Sequence, residues 1–94
     1  MRPAMRVPSS KEKAALRNAA QKLKPVVHIG KRGITPALID EFDRSLSTHR
    51  LVKVSFKAGR DEIQPLIETL EAKASCFCVG GVGKRRSFFR SLDS

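Results

Sequence analysis

Four residues, Gly30-Lys31-Arg32-Gly33, set two cations between two glycines, just after the β-branched run Val26-Val27-His28-Ile29 and just before Thr35-Pro36. Thr35 suits a helix N-cap and Pro36 the first helical position, so the four join a strand end to a helix start. Unpaired backbone N–H groups and the positive end of the helix dipole favour an anion at such a place. Lys31 and Arg32 add mobile charge, and Gly30 and Gly33 allow a sharp turn and the close approach of a phosphate. By spacing alone the pattern is weak, and a plain glycine-flanked turn with solvated basic tips explains it better.

Other chemistry is harder to find. Gly81-Val82-Gly83-Lys84 resembles the end of a nucleotide-binding P-loop, but that motif needs glycine where Cys78 stands and Ser or Thr where Arg85 stands. Cys76 and Cys78 have no nearby third and fourth ligands, because His28 and His49 are distant in sequence. They read as small apolar residues of a strand, and the histidines as edge residues that could also stack on a base. Asp40 and Arg44 lie four apart on one helix, where ion pairing accounts for them. With no nucleophile–base pair, the expectation is a protein that is not an enzyme, with no cofactor, metal or small-molecule substrate.

The charge is more decisive. Nineteen Lys and Arg against nine Asp and Glu give a formal net charge of +10 in 94 residues, a self-repulsion that a polyanionic partner relieves. The cations are spread through a folded pattern rather than along one amphipathic helix, which favours nucleic acid over a membrane surface. Charge alone leaves RNA and DNA tied. Two cysteines two residues apart imply a reducing compartment. The opening Met1-Arg2-Pro3-Ala4-Met5-Arg6-Val7-Pro8 lacks an apolar h-region, so a cytoplasmic protein that is not exported is expected.

The elements that must position the turn follow from periodicity. Residues 1–8 read as a flexible arm. Ser9 and Glu12 form a capping-box signature, and Leu16, Ala19, Ala20 and Leu23 recur at helical spacing, predicting a helix from about Ser10 to Gln21 or Lys22. Pro25 ends it, and Val26–Ile29 is the first strand. Leu38, Ile39, Phe42 and Leu46 stripe the second helix. Val52, Val54 and Phe56 alternate with Lys53 and Ser55, the period of a strand with one wet face. Ile63, Leu66, Ile67 and Leu70 stripe a third helix, which Pro65 allows only if it begins close by. Cys76–Val79 and Ser87–Phe89 close a final hairpin. The order α-β-α-β-α-β-β predicts one two-layer α+β domain over residues 9–90, with a mixed sheet and a tail at 91–94.

Several blocks carry a likeness. Leu23-Lys24-Pro25-Val26-Val27, then Ile29-Gly30-Lys31 with Gly33-Ile34-Thr35, then His49 and Leu51-Val52-Lys53-Val54 together resemble the CRM domain of the YhbY family, from about Ser9 to Arg90. The resemblance implies a four-stranded mixed sheet with three helices, similar to the C-terminal domain of translation initiation factor three. It also implies RNA binding through the loop at Gly30–Gly33 and, for stand-alone bacterial members, association with precursors of the large ribosomal subunit. Related domains occur in plant organelle splicing factors, but a solitary domain of this length looks like the bacterial kind. The departure is the last strand, where the family pattern of a glycine, a basic residue and then apolar residues is replaced by Gly83, Lys84, Arg85, Arg86, Ser87 and Phe88 before Phe89-Arg90.

The reading is thus an RNA-binding domain acting on ribosomal precursor RNA. Gly30 and Gly33 shape the turn, Lys31 and Arg32 meet phosphates, and Lys22, Lys24, Lys53, Lys84, Arg85, Arg86 and Arg90 extend the basic surface. Lys11, Lys13 and Arg17 of the first helix flank it. Arg85 and Arg86 either enlarge that surface or sit solvated on a frayed hairpin. The alternative is a basic module that docks on an acidic protein of the translation machinery without touching RNA.

Overall fold

The computed structural model of the chain describes residues 8–90. The arm and the tail expected at the two ends lie outside that range, apart from Pro8, which is buried. The elements run α1 (Ser10–Ala20), β1 (Val27–Ile29), α2 (Pro36–His49), β2 (Leu51–Phe56), α3 (Arg60–Ala74), β3 (Phe77–Val82) and β4 (Arg85–Phe89). This is the predicted order, and the sheet it builds is four-stranded and mixed, β1-β2-β4-β3. β1 runs parallel to β2, while β4 is antiparallel to both of its neighbours.

Local chemistry fixes the helix starts. Ser9 Oγ accepts from the Glu12 amide and Glu12 Oε1 accepts from the Ser9 amide, the reciprocal capping box. Thr35 Oγ1 caps α2 by accepting from Leu38 at 3.2 Å, with Pro36 next to it. α3 departs from expectation, starting at Arg60 and running through Pro65. It does so because Pro65 and Asp61, whose carbonyl the proline cannot bond, both belong to the exposed side of the helix.

One face of the sheet makes the core. Val27, Ile29, Val52, Val54, Phe56 and Phe88 pack there against Phe42 and Leu46 of α2 and Ile63, Ile67 and Leu70 of α3. Phe88 is fully buried, and the ring of Phe42 meets it edge-on at 5.3 Å between centroids. Complete burial of such a side chain is worth roughly 1.5–3 kcal/mol. The expected two layers are therefore this face and the α2–α3 pair. α1 is an addition, lying over β3, β2 and β4 on the face that carries Lys53, Arg85 and Ser87.

The hairpin is longer than the sequence suggests. β3 continues through Gly80, Gly81 and Val82, and β4 begins at Arg85, so that only Gly83 and Lys84 turn between the paired residues Val82 and Arg85. Gly80 has φ +127°, and a Cβ on it would stand 2.5 Å from Cδ of Arg17. The strand accepts a glycine there because the α1 arginine lies across it.

Candidate nucleic-acid interface

The turn forms as a closed unit: the Gly33 amide donates to the Gly30 carbonyl at 3.0 Å, with Lys31 and Arg32 exposed at its tip. The two glycines are not equivalent. Gly33 sits at φ +71°, where a side chain is strained, whereas Gly30 has no such φ and a Cβ there would meet nothing within 4 Å. Only Gly33 is demanded by the fold. The absence of a side chain at Gly30 keeps an already open surface clear.

The helix dipole contributes less than the sequence implies. Pro36 has no N–H, the Leu38 amide is held by Thr35 Oγ1, and the Ile39 amide donates to the Thr35 carbonyl. Of the first-turn donors of α2, the Ala37 amide alone is left for a ligand. The turn's own cations are the main resource.

Two backbone hydrogen bonds decide what surrounds them. The Lys57 amide donates to the Ile29 carbonyl at 2.9 Å, and the Phe56 amide donates to the Lys84 carbonyl at 2.8 Å. The end of β1, the end of β2 and the hairpin turn are thereby drawn to one end of the sheet. Lys31, Arg32, Lys57, Lys84 and Arg85, all exposed, gather there. A recess beside the turn is lined by Gly30, Lys31, Gly33 and Lys57 on one side, and by Asp61 and Glu62 from the start of α3 on the other. Lys57 was not among the residues anticipated. Its nearness to the turn arises from the parallel pairing of β1 with β2, which no local pattern reveals.

The other anticipated residues divide. Arg85 and Arg86 point to opposite faces by strand alternation. Arg85 is exposed, while Arg86 folds back and donates to the carbonyls of Gly83 and Arg85. The hairpin is therefore ordered, and Arg86 braces its turn. Arg90 is a correction. Its side chain is only 12% exposed, and its guanidinium donates to Asp43 Oδ1 at 2.5 Å, to Ser47 Oγ at 3.1 Å and to the Ala74 carbonyl. It clamps the two core helices and is not part of an open basic surface. Lys22 and Lys24 are exposed but precede β1, at the end of that strand away from the turn. Lys53 lies between the two groups, half-buried on the α1 face.

Burial pushes the thiols of Cys76 and Cys78 up, Cys76 to about 12. Sγ of Cys76 donates to the Leu70 carbonyl at 3.6 Å, as befits a packed core thiol. Among the described residues no cluster of His, Cys, Asp or Glu could hold a metal ion, and no helix is long and apolar enough to cross a membrane. On α2 it is Asp43, paired with Arg90, and not Asp40 with Arg44, that forms the ion pair.

A sheet of this order with a basic turn after its first strand defines an α+β domain of a specific kind. The CRS1/YhbY (CRM) domain model matches residues 9–90, and the chain belongs to that family. A Pseudomonas aeruginosa protein named as a probable RNA-binding protein is 29% identical over 83 residues, covering 87% of this chain and 80% of its own length. An RNA-binding protein of Haemophilus influenzae is 36% identical over 59 residues, 63% of this chain and 60% of its own. The solution structure of a hypothetical Staphylococcus aureus protein, described as a candidate RNA binder, superposes with a TM-score of 0.82 at 28% identity. That match covers 94% of this chain and 93% of that one.

Proposed function

We propose that the chain binds RNA by its backbone at the basic end of the sheet, and that its target is precursor RNA of the large ribosomal subunit. The supporting observation is the convergence of the Gly30–Gly33 turn with Lys57 and Lys84, fixed by the hydrogen bonds to the Ile29 and Lys84 carbonyls. Cations carried on three separate segments but held in one geometry suit the regular spacing of phosphates. Asp61 and Glu62 bound the recess on its far side and repel phosphates, so the strand runs along the turn and hairpin and away from α3. The family and the RNA-binding names of its relatives support the choice of RNA. The site offers charge and backbone amides but few groups that read bases, so recognition is of shape and backbone more than sequence. The same reading puts its work in the cytoplasm.

RNA affinity measured against salt tests this. Each phosphate neutralised contributes roughly 0.7–0.9 to the slope of log K against log salt, so Lys31→Ala with Arg32→Ala should flatten it by about 1.4–1.8. An unchanged slope in a folded variant removes the turn from the interface. Co-sedimentation with large-subunit precursors, lost on ribonuclease treatment, tests the target.

A further inference from the structure

The face of the sheet under α1 carries a feature the basic turn does not use. Between α1 and the strands opens a cleft of about 260 Å³, lined by Arg17, Lys53, Gly80, Arg85 and Ser87 among others. Lys53 of β2, Ser87 of β4 and Gly80 of β3 are register partners, one row across three strands, and Arg85 stands two residues from Ser87 on the same face. Arg17 lies over the end of the row, its stem against Gly80. No aspartate or glutamate among the described residues lines the cleft. Among the described residues, none of the three cations has an acidic partner.

Ser87 distinguishes this cleft from a solvated basic face. It is 2% exposed, the one buried polar residue of the described chain, and its hydroxyl makes no hydrogen bond there. Among the described residues Arg90 Nε is the one buried side-chain polar atom without a partner, so the Ser87 hydroxyl keeps a remnant of exposure and is open to a ligand in the cleft it lines. Arg17, Lys53 and Arg85 line the same cleft as that hydroxyl, from α1, β2 and the start of β4. Three cations and a hydroxyl suit a phosphate, whose several oxygens accept charged donors at once.

We infer that the cleft is a second phosphate-binding subsite, which takes one backbone phosphate of the same RNA strand that engages the Gly30–Gly33 turn. This rests on the RNA reading of the turn. Continuity favours a strand over a free anion. Arg85 follows Lys84, which is bonded to the sheet end where the turn lies, and β4 is two strands from β1, on the order of 10 Å away. A single strand of a few nucleotides spans that gap, passing from the sheet end onto the α1 face.

Backbone amide resonances of the full chain, followed during titration with a single-stranded RNA of about ten nucleotides and in parallel with inorganic phosphate, test the inference. The amides of Gly80, Gly81 and Ser87 should shift at the same RNA concentrations as those of Lys31, Arg32 and Gly33. Arg17→Gln, at a residue outside the sheet-end cluster, should weaken the first set, keep the second, and flatten the salt slope by about 0.7. Ser87→Ala, which removes only an oxygen and leaves α1 in place, should weaken the first set alone. Shifts at the turn with none in the cleft overturn the subsite, and so does a cleft that answers to inorganic phosphate but not to RNA. Silence at both places under RNA takes down the reading of the turn as well.

Discussion

Arg90, the residue after β4, reaches 2.5 Å to the carboxylate of Asp43 in the middle of α2. The same guanidinium bonds the carbonyl of Ala74 at the end of α3, so one side chain holds both core helices to the last strand. Its Nε is buried without a partner, so the clamp is made by the two terminal nitrogens alone.

Arg90→Ala should therefore cost stability and leave RNA affinity alone. Asp43 is 57% exposed, which limits the value of the ion pair itself. The loss comes from the charged hydrogen bonds to Ser47 and Ala74, about 2 kcal/mol in urea unfolding. Arg90→Lys should recover only part, since an ammonium lacks the planar fork that spans the partners. A weakened salt dependence of RNA binding at unchanged stability would return Arg90 to the interface.

The two glycines of the turn should respond differently to the same substitution. Gly33→Ala forces a side chain onto φ +71° and should lower stability by roughly 1–2 kcal/mol. Gly30→Ala meets no atom within 4 Å and should leave the melting temperature unchanged while reducing RNA affinity, because the methyl stands where a phosphate approaches. Full affinity for folded Gly30→Ala would mean that no close approach occurs there.

Much of this was legible because it is local. The Ser9–Glu12 box, the Thr35-Pro36 start of α2 and the alternation from Val52 to Phe56 are each written in adjacent residues, and each element formed. What escaped depends on partners distant in sequence. Lys53 and Ser55 read as a wet face, yet α1 crosses that side of the sheet, because a helix that buries only Ala20 fully gives no sign of which surface it covers. Gly80 and Gly81 read as a loop because glycine disfavours strands, but pairing with Ser87 and Arg86 holds them extended. Arg90 looked like another surface cation, and its partner Asp43 is 47 residues away.

Burial holds the Cys76 thiol at about 12 against an ordinary 9.0, outweighing the opposing pull of the nearby Arg90 charge. The folded state thus keeps a proton that the unfolded chain sheds above pH 9. That difference subtracts nothing below pH 9 and erodes stability as pH rises from there towards 12. Unfolding free energies of the protein and of Cys76→Ala, compared across that window, should diverge, with the variant losing less. Alkylation at pH 8 should label Cys76 slowly in the native state and rapidly once urea unfolds the chain. Rapid native labelling would show that the thiol is not confined.

Lys57 provides the sharpest test of how the interface is built, because only its backbone bond to Ile29 brings it to the turn. If the sheet end acts as one surface, Lys57→Ala removes one phosphate contact and should flatten the salt slope by about 0.7. Arg44→Ala removes the same unit of charge from the exposed side of α2. It should change affinity slightly and the slope not at all, since a net-charge effect is diffuse while a released counterion is counted contact by contact. Equal effects from the two would mean that the protein attracts RNA by overall charge. A selective effect at Lys57 would mean that the parallel pairing of β1 and β2, made by the fold and unseen in either segment alone, is what turns a weak glycine-flanked pattern into a binding surface.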